Sequence, residues 1–258
     1  MAAQLKGALF DFDDTLVDWS GVQLGWREIE AARLSHVQEH VFQKTRAYWL
    51  TTESLLETYL QRTRAAWSEA RVTLRAPHMP SILMKTLDGL GVAIDRLDVD
   101  DVIRAYDWNV VPGTVVFPDV PPMLRALQQA GIRLGIVTNA SQPMAMRDAE
   151  LERHGLIQYF PDCRISAADA GYLKPDKRIF NCALEQMGTS PEETVFIGDN
   201  PEADIAGARS VGMNAVLRVT SRMETNGAHI AYHPRLRTME RLPAILDEWY
   251  PGWRNGNA

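Results

Sequence analysis

Cysteine is nearly missing from this chain of 258 residues: Cys163 and Cys182 are its two thiols. Two cysteines cannot build a disulfide framework, so a reducing compartment is the expectation. Each falls in a segment that reads as strand or helix, where a thiol is expected to act as a small core side chain. Long apolar runs are missing too. No stretch has the length that spans a bilayer, and near the amino terminus Asp11 and Asp13 interrupt the run a signal peptide would need. Nor is there an excess of positive charge: 27 Lys and Arg stand against 33 Asp and Glu, a formal net charge of -6. That balance gives no electrostatic reason to expect nucleic acid or an anionic membrane as a partner. There is no internal repeat and no low-complexity tract. A cytoplasmic globular protein is expected, long enough for one large α/β domain or for a core carrying an insertion.

What is present begins with Leu9-Phe10-Asp11-Phe12-Asp13-Asp14-Thr15-Leu16, an apolar run that stops in carboxylates. Alternation along a strand lets Asp11 and Asp13 point one way while Phe12 faces the core. Two like charges so close call for a cation or a proton between them. The plainer alternative is a strand followed by an acidic turn, with Asp14 or Thr15 capping a helix. From about Trp19 to Asp107 the pattern is helical, with apolar residues at helical spacing in 28–50 and 54–72. Residues 107–120 read as the return connection. Thereafter strands and helices alternate: helix 120–130, strand 132–138, helix 142–154, strand 163–166, helix 175–187, strand 194–197, helix 201–211 and strand 215–219. Pro175 and Pro201 suit first helical turns, and Gly131, Gly155, Gly188 and Gly212 suit helix ends. Such alternation predicts a Rossmann-like parallel sheet with helices on both faces, right-handed crossovers, and an all-helical cap inserted after the first strand. The expected division is 1–17 with 113–258 as core and 18–112 as cap. The tail after Tyr250 is expected to be loose.

In a parallel sheet the carboxyl ends of the strands share one edge, where ligands bind. That edge would collect Asp11 and Asp13, Thr138-Asn139, Lys174-Pro175, and the loop Gly198-Asp199-Asn200-Pro201-Glu202-Ala203-Asp204. Three carboxylates with oxygen-only donors suit magnesium. A hydroxyl, backbone amides and a lysine beside the cation make a place for a phosphoryl group.

In these motifs, and in their order at successive strand ends, the chain resembles the haloacid dehalogenase-like superfamily, in its magnesium-dependent phosphatase branch. The likeness covers about 5–19 and 119–219. It implies that Asp11 is a nucleophile forming an aspartyl-phosphate, and that Asp13 is the acid and base for the leaving alcohol and the attacking water. Thr138 and the amide of Asn139 would hold phosphoryl oxygens, and Lys174 would screen charge between Asp11 and phosphate. Asp11, Asp199 and the backbone carbonyl of Asp13 would bind Mg2+. Asp204 would hold a metal-bound water or orient Lys174. Dehalogenases of the superfamily lack an Asp at the place of Asp13, so its presence favours phosphoryl chemistry. Sugar phosphomutases with this cap type carry a cap histidine where Gln23 stands here. A phosphomutase and a catalytically silent phosphoryl-binding module are the alternatives. The implied partner is a small phosphorylated metabolite, with the protein a monomer or homodimer.

His36-Val37-Gln38-Glu39-His40 fits the H-x-x-E-H pattern of a zinc protease, yet without a convincing third ligand it reads as a helix that happens to carry two histidines. A receiver domain also clusters acids, Thr and Lys at strand ends, but its acceptor would follow a later strand. Among the aromatic residues of the insert, Trp19 is the candidate substrate contact and the others are expected to form the insert's own core. Arg27, Arg46, Arg62 and Arg64 are expected mainly on solvated helix faces.

Overall fold

The structure, a computed structural model, describes residues 3–220 and 234–255. Its strands are β1 (Gly7–Phe10), β2 (Val17–Asp18), β3 (Val115–Val116), β4 (Arg133–Thr138), β5 (Cys163–Ser166), β6 (Thr194–Gly198), β7 (Asn214–Arg218) and β8 (Arg235–Leu236). Its helices are α1 (Trp26–Thr45), α2 (Thr52–Thr73), α3 (Met79–Gly89), α4 (Val99–Tyr106), α5 (Val120–Gln129), α6 (Met144–Arg153), α7 (Ala167–Ala170), α8 (Lys177–Met187), α9 (Gly207–Ser210) and α10 (Leu242–Trp249). A six-stranded sheet runs in the order β5-β4-β1-β6-β7-β8, every pairing parallel. The expected α/β Rossmann-like fold is therefore the one found.

Every residue of β1 is buried, as a central strand covered on both faces requires. Alternation sorts its side chains. Ala8 and Phe10 join the cluster under α5 and α10, with Leu134, Ile136, Val195 and Ile197. Leu9 points the other way, into the cluster under α8 and α9, with Phe180 and Phe196. Phe10 registers with Ile136 of β4 and Ile197 of β6. The chain then leaves β1 for β4 on one side and returns to β6 on the other, so the edge beyond Phe10 is a topological switch point.

The acidic turn after β1 is not a helix cap. Leu16 N–H donates to Phe12 O at 2.9 Å and Asp14 N–H to Val17 O at 2.8 Å, and Asp14 takes a positive φ of 57°. The tight turn delivers β2, which pairs antiparallel with β3. That two-stranded ribbon, absent from the sequence expectation, sits where the chain leaves for the helical insertion and comes back. Beside it Gly21 and Gly113 approach so closely that a Cβ on either would strike the other's backbone carbonyl, and Gly113 has φ +96°.

Helices α1 to α4 enclose a cluster of their own, including Leu34, Val37, Leu55, Tyr59, Leu83, Tyr106 and Trp108. The aromatic expectation holds for Tyr59 and Trp108. It fails for Tyr48 and Trp49, which are 75% and 60% exposed, and for Trp67, which packs onto the cluster beneath α8. The segment after α2 ties the insertion to the sheet edge: Leu173 N–H donates to Leu74 O at 2.8 Å, Ala76 N–H to Gly171 O at 3.1 Å, and Met79 N–H to Ser141 O at 2.8 Å.

Four local expectations are corrected. Pro175 precedes the N-cap of α8 instead of lying in its first turn, because the Asp176 side chain accepts from Arg178 N–H and starts the helix at Lys177. Residues 201–206 form a turn of π-helix before α9, begun by Asn200, whose side chain accepts from Glu202 and Ala203 N–H. Cys163 is buried as expected, but Cys182 lies on the exposed side of α8. The tail is anchored as far as Asn255: Trp253 is buried and its indole donates to Asp247 at 2.9 Å, while residues 256–258 lie outside the described set. Among the described residues no helix is long and apolar enough to cross a membrane.

Candidate active site

Asp11 lies one residue past β1, its N–H donating to Ile197 O at 2.9 Å, so the central strand's register fixes its side chain at the carboxyl edge. Lys174 reaches it from the loop after α7. Its Nζ lies 2.6 Å from Asp11 Oδ1, 2.6 Å from Asp204 Oδ1 and 2.8 Å from Val137 O. Asp204 is held in turn by Asn200 N–H, 2.9 Å from its Oδ2. All three side chains are buried, so the lysine charge is matched by two carboxylates in a setting that screens little. Burial works against the ammonium, but Asp11 and Asp204 outweigh it and hold Lys174 protonated above the ordinary lysine range.

Asp199, at the end of β6, completes the cluster. Asp11, Asp199 and Asp204 place one carboxylate oxygen each within 4.8 Å of one another. Burial first, then Asp204 and Asp13, push the Asp11 carboxyl up to about 7 against the pull of Lys174. Burial, with Asp11 and Asp204 behind it, pushes Asp199 up to about 9. Carboxyls that resist ionising in one another's company are what a divalent cation relieves, and an all-oxygen donor set suits a hard ion such as Mg2+.

Thr138 ends β4 and is buried, one residue past the Val137 carbonyl that accepts from Lys174. Asn139 staples two loops: its Nδ2 donates to Lys174 O at 3.1 Å and its Oδ1 accepts from Lys174 N–H at 2.7 Å. The side chain of Asn139 thereby fixes the backbone that carries the lysine.

Asp13 leads to a second charged group that sequence reading missed. Its carboxylate is gripped by Arg147 of α6, Nη2 to Oδ1 at 2.8 Å and Nη1 to Oδ2 at 3.3 Å, and accepts the Trp19 indole N–H at 2.9 Å. Arg147 Nε is 2.8 Å from Glu150, which accepts the Trp108 indole N–H at 3.0 Å. The only signal in the sequence was an Arg and a Glu three apart on a predicted helix, a spacing usual on solvated faces. Burial of both, at 3% and 0% exposure, depends on where α6 packs.

A cavity of about 630 Å³ opens between the sheet edge and the insertion, lined among others by Asp13, Trp19, Arg64, Trp67, Trp108 and Asn139. Trp19, the expected substrate contact, lines this cavity together with Asp13. Of the four arginines singled out, Arg64 faces this cavity, while Arg27 pairs with Glu53 and Glu57 and Arg46 lies over Phe42. His36 and His40 do not belong to the acidic cluster, the one metal-competent group of three or more among the described residues. The zinc-protease pattern has no third ligand there.

Comparison with known proteins places the chain in a family. The chain is 39% identical over 215 residues to a glyceraldehyde 3-phosphate phosphatase of Methanopyrus kandleri, covering 82% of this chain and 83% of that one. It is 37% identical over 212 residues to a ribulose-1,5-bisphosphate 5-phosphatase of Halopiger xanaduensis, covering 81% and 82%. A solved 2-haloacid dehalogenase from Pseudomonas syringae pv. Tomato DC3000 shares the fold, with TM-score 0.59 and 23% identity over 95% of this chain and all of that one. The family model for haloacid dehalogenase-like hydrolases matches residues 5–212, and with sheet, acidic edge and phosphatase relatives in agreement, the chain belongs to that family of hydrolases.

Proposed function

We propose that the protein hydrolyses a small phosphate monoester through an aspartyl-phosphate on Asp11, with Mg2+ as cofactor and residues 18–112 as a cap over the site. The single observation that carries this is the placement of Asp11: a buried carboxylate on the central strand, 2.6 Å from Lys174 and clustered with Asp199 and Asp204. The phosphatase relatives support the reaction class, and the presence of Asp13 supports a leaving group that needs a proton.

Asp11, Asp199 and the backbone carbonyl of Asp13 would hold the cation, which when bound supplies charge neutralisation at the phosphoryl oxygens. Thr138 Oγ1 and the Asn139 N–H would bind those oxygens, and Lys174 would keep Asp11 and the phosphoryl group from repelling each other. Asp11 attacks phosphorus in line with the ester oxygen. Asp13 gives its proton to the departing alcohol, then takes one from the water that releases phosphate from Asp11. Asp204 serves by orienting Lys174, the role its 2.6 Å contact supports. The cavity beside Asp13 would take the alcohol portion, with Trp19 and Arg64 as contacts, and its walls would exclude bulk water.

The test is phosphate release from a panel of phosphate monoesters, with Mg2+ or with chelator, for the wild type and Asp11→Asn. Turnover that needs Mg2+ and vanishes in the variant is expected. Turnover that survives the variant in contaminant-free protein would discard the nucleophile assignment.

A further inference from the structure

Asp13 is held more completely than an acid that merely lines a cavity. Arg147 engages both of its oxygens and Trp19 a second time engages Oδ1. The guanidinium lies 4.7 Å from the Phe12 ring centroid and is ion-paired with Glu150, whose carboxylate is 2.8 Å from its Nε. Glu150 is pinned by Trp108. Trp19 follows β2 and Trp108 precedes β3, so the two connections to the helical insertion each end one indole hydrogen bond from this chain of charges. A planar fork with two donors aimed at one carboxylate sets that carboxylate's orientation as well as its charge.

We infer that Arg147, secured by Glu150, is a positioning residue for the leaving-group step, aiming the Asp13 carboxyl at the bridging ester oxygen; this rests on the phosphatase function proposed above. In that step an Asp11 oxygen bonds to phosphorus as the bridging P–O bond breaks. The electron pair of the broken bond goes to the bridging oxygen, which takes the Asp13 proton and leaves as alcohol. The Asp13 carboxylate so formed has the partners seen here, Arg147 and Trp19. In the second step water attacks phosphorus, its proton passes to Asp13, and the Asp11–phosphorus bond breaks to release inorganic phosphate. Arg147 touches no reacting atom in either step and works through the orientation of Asp13.

An ester's demand for a protonated leaving group separates this role from a merely structural one. The p-nitrophenolate group departs without a proton, whereas an alkoxide does not. The experiment measures kcat and KM of the Mg2+-supplemented enzyme for p-nitrophenyl phosphate and for a series of aryl and alkyl phosphates. Wild type is compared with Arg147→Lys and with the double variant Arg147→Gln/Glu150→Gln, which removes the buried Glu150 charge together with its cation. The double variant is expected to lose about 100-fold in kcat on alkyl esters, with KM little changed, and less than about five-fold on p-nitrophenyl phosphate. Arg147→Lys, with one donor group in place of a fork, recovers part of the loss. Should the double variant fail to fold, Trp19→Phe removes one donor to Asp13 and should show the same selectivity at about three- to ten-fold. Equal losses on both ester classes, or none on either, would overturn the inference. Turnover of p-nitrophenyl phosphate by Asp11→Asn, or no turnover by wild type, would instead sink the phosphatase function on which it rests.

Discussion

Two buried cations hold the two carboxylates that flank Phe12 in the chain, Lys174 at Asp11 and Arg147 at Asp13, and they are used differently. Lys174 is a point charge at the centre of three oxygen acceptors, drawn from the ends of three different segments. Arg147 is a flat fork between two carboxylates, both edges occupied and one face on an aromatic ring. A lysine ammonium can change partners by rotating its stem, so it suits a place where charge moves between a nucleophile and a phosphoryl group. A guanidinium holds a geometry, so it suits a place where a carboxyl must keep one direction. One group is thus built to balance charge and the other to fix an orientation. Both cost desolvation, and a structural ion pair would serve stability no better than apolar packing of the same volume.

The contrast can be broken most severely at Asp11. Asp11→Asn keeps the shape but removes the nucleophile, and kcat on every ester should fall by about 10⁴-fold or more, whatever the leaving group. Lys174→Met comes next. It strands Asp11 and Asp204 together in a buried setting, so kcat should fall by about 100- to 1,000-fold on all esters alike. The same variant should be destabilised in urea by about 3 kcal/mol. An Arg147 defect, by contrast, should depend on the leaving group, and uniform losses in both variants would erase the distinction drawn here.

Gly198→Ala tests the lysine side more gently. A Cβ there would collide with the Asp204 carboxylate, which must then shift from Lys174 and from the acidic cluster. The Mg2+ concentration giving half-maximal activity should rise by about ten-fold or more, with a smaller change in kcat at saturating metal.

Glu30 is tested through stability alone and offers a useful contrast, a buried acid whose hydrogen-bond partner is a phenol and not a cation. It accepts Tyr106 Oη at 2.7 Å, and burial pushes its carboxyl up to about 7 against the pull of Tyr106 and Arg33. An acid whose proton is held more tightly in the folded chain contributes stability that is complete below the unfolded value. That contribution is lost as pH rises from about 4.5 to about 7. The span corresponds to at most roughly 3 kcal/mol. Glu30→Gln should therefore flatten the fall in urea stability between pH 5 and 8 and be more stable than wild type at pH 8. An unchanged slope would show that Glu30 does not carry it.

The chain fixed several things by itself. Strict strand and helix alternation after residue 120, with apolar runs ending in Asp, Thr or Gly, determines a parallel sheet whose carboxyl edge gathers Asp11, Thr138, Lys174 and Asp199. The physical reason is local: pleating sorts side chains to two faces and parallel pairing sends every strand end to one side. Only the tertiary structure decided the rest. Whether Arg147 and Glu150 face solvent or Asp13 turns on the rotation of α6 against Phe12, which no three-residue spacing reveals. The β2–β3 ribbon joins residues nearly a hundred positions apart, each segment too short to announce a strand. Trp67 looked like its neighbours in the insertion yet packs on the other layer, and Asp204 found Lys174 because a π-helical turn set its reach. Contacts of that kind depend on which surfaces meet, and a single chain records them only once it has folded.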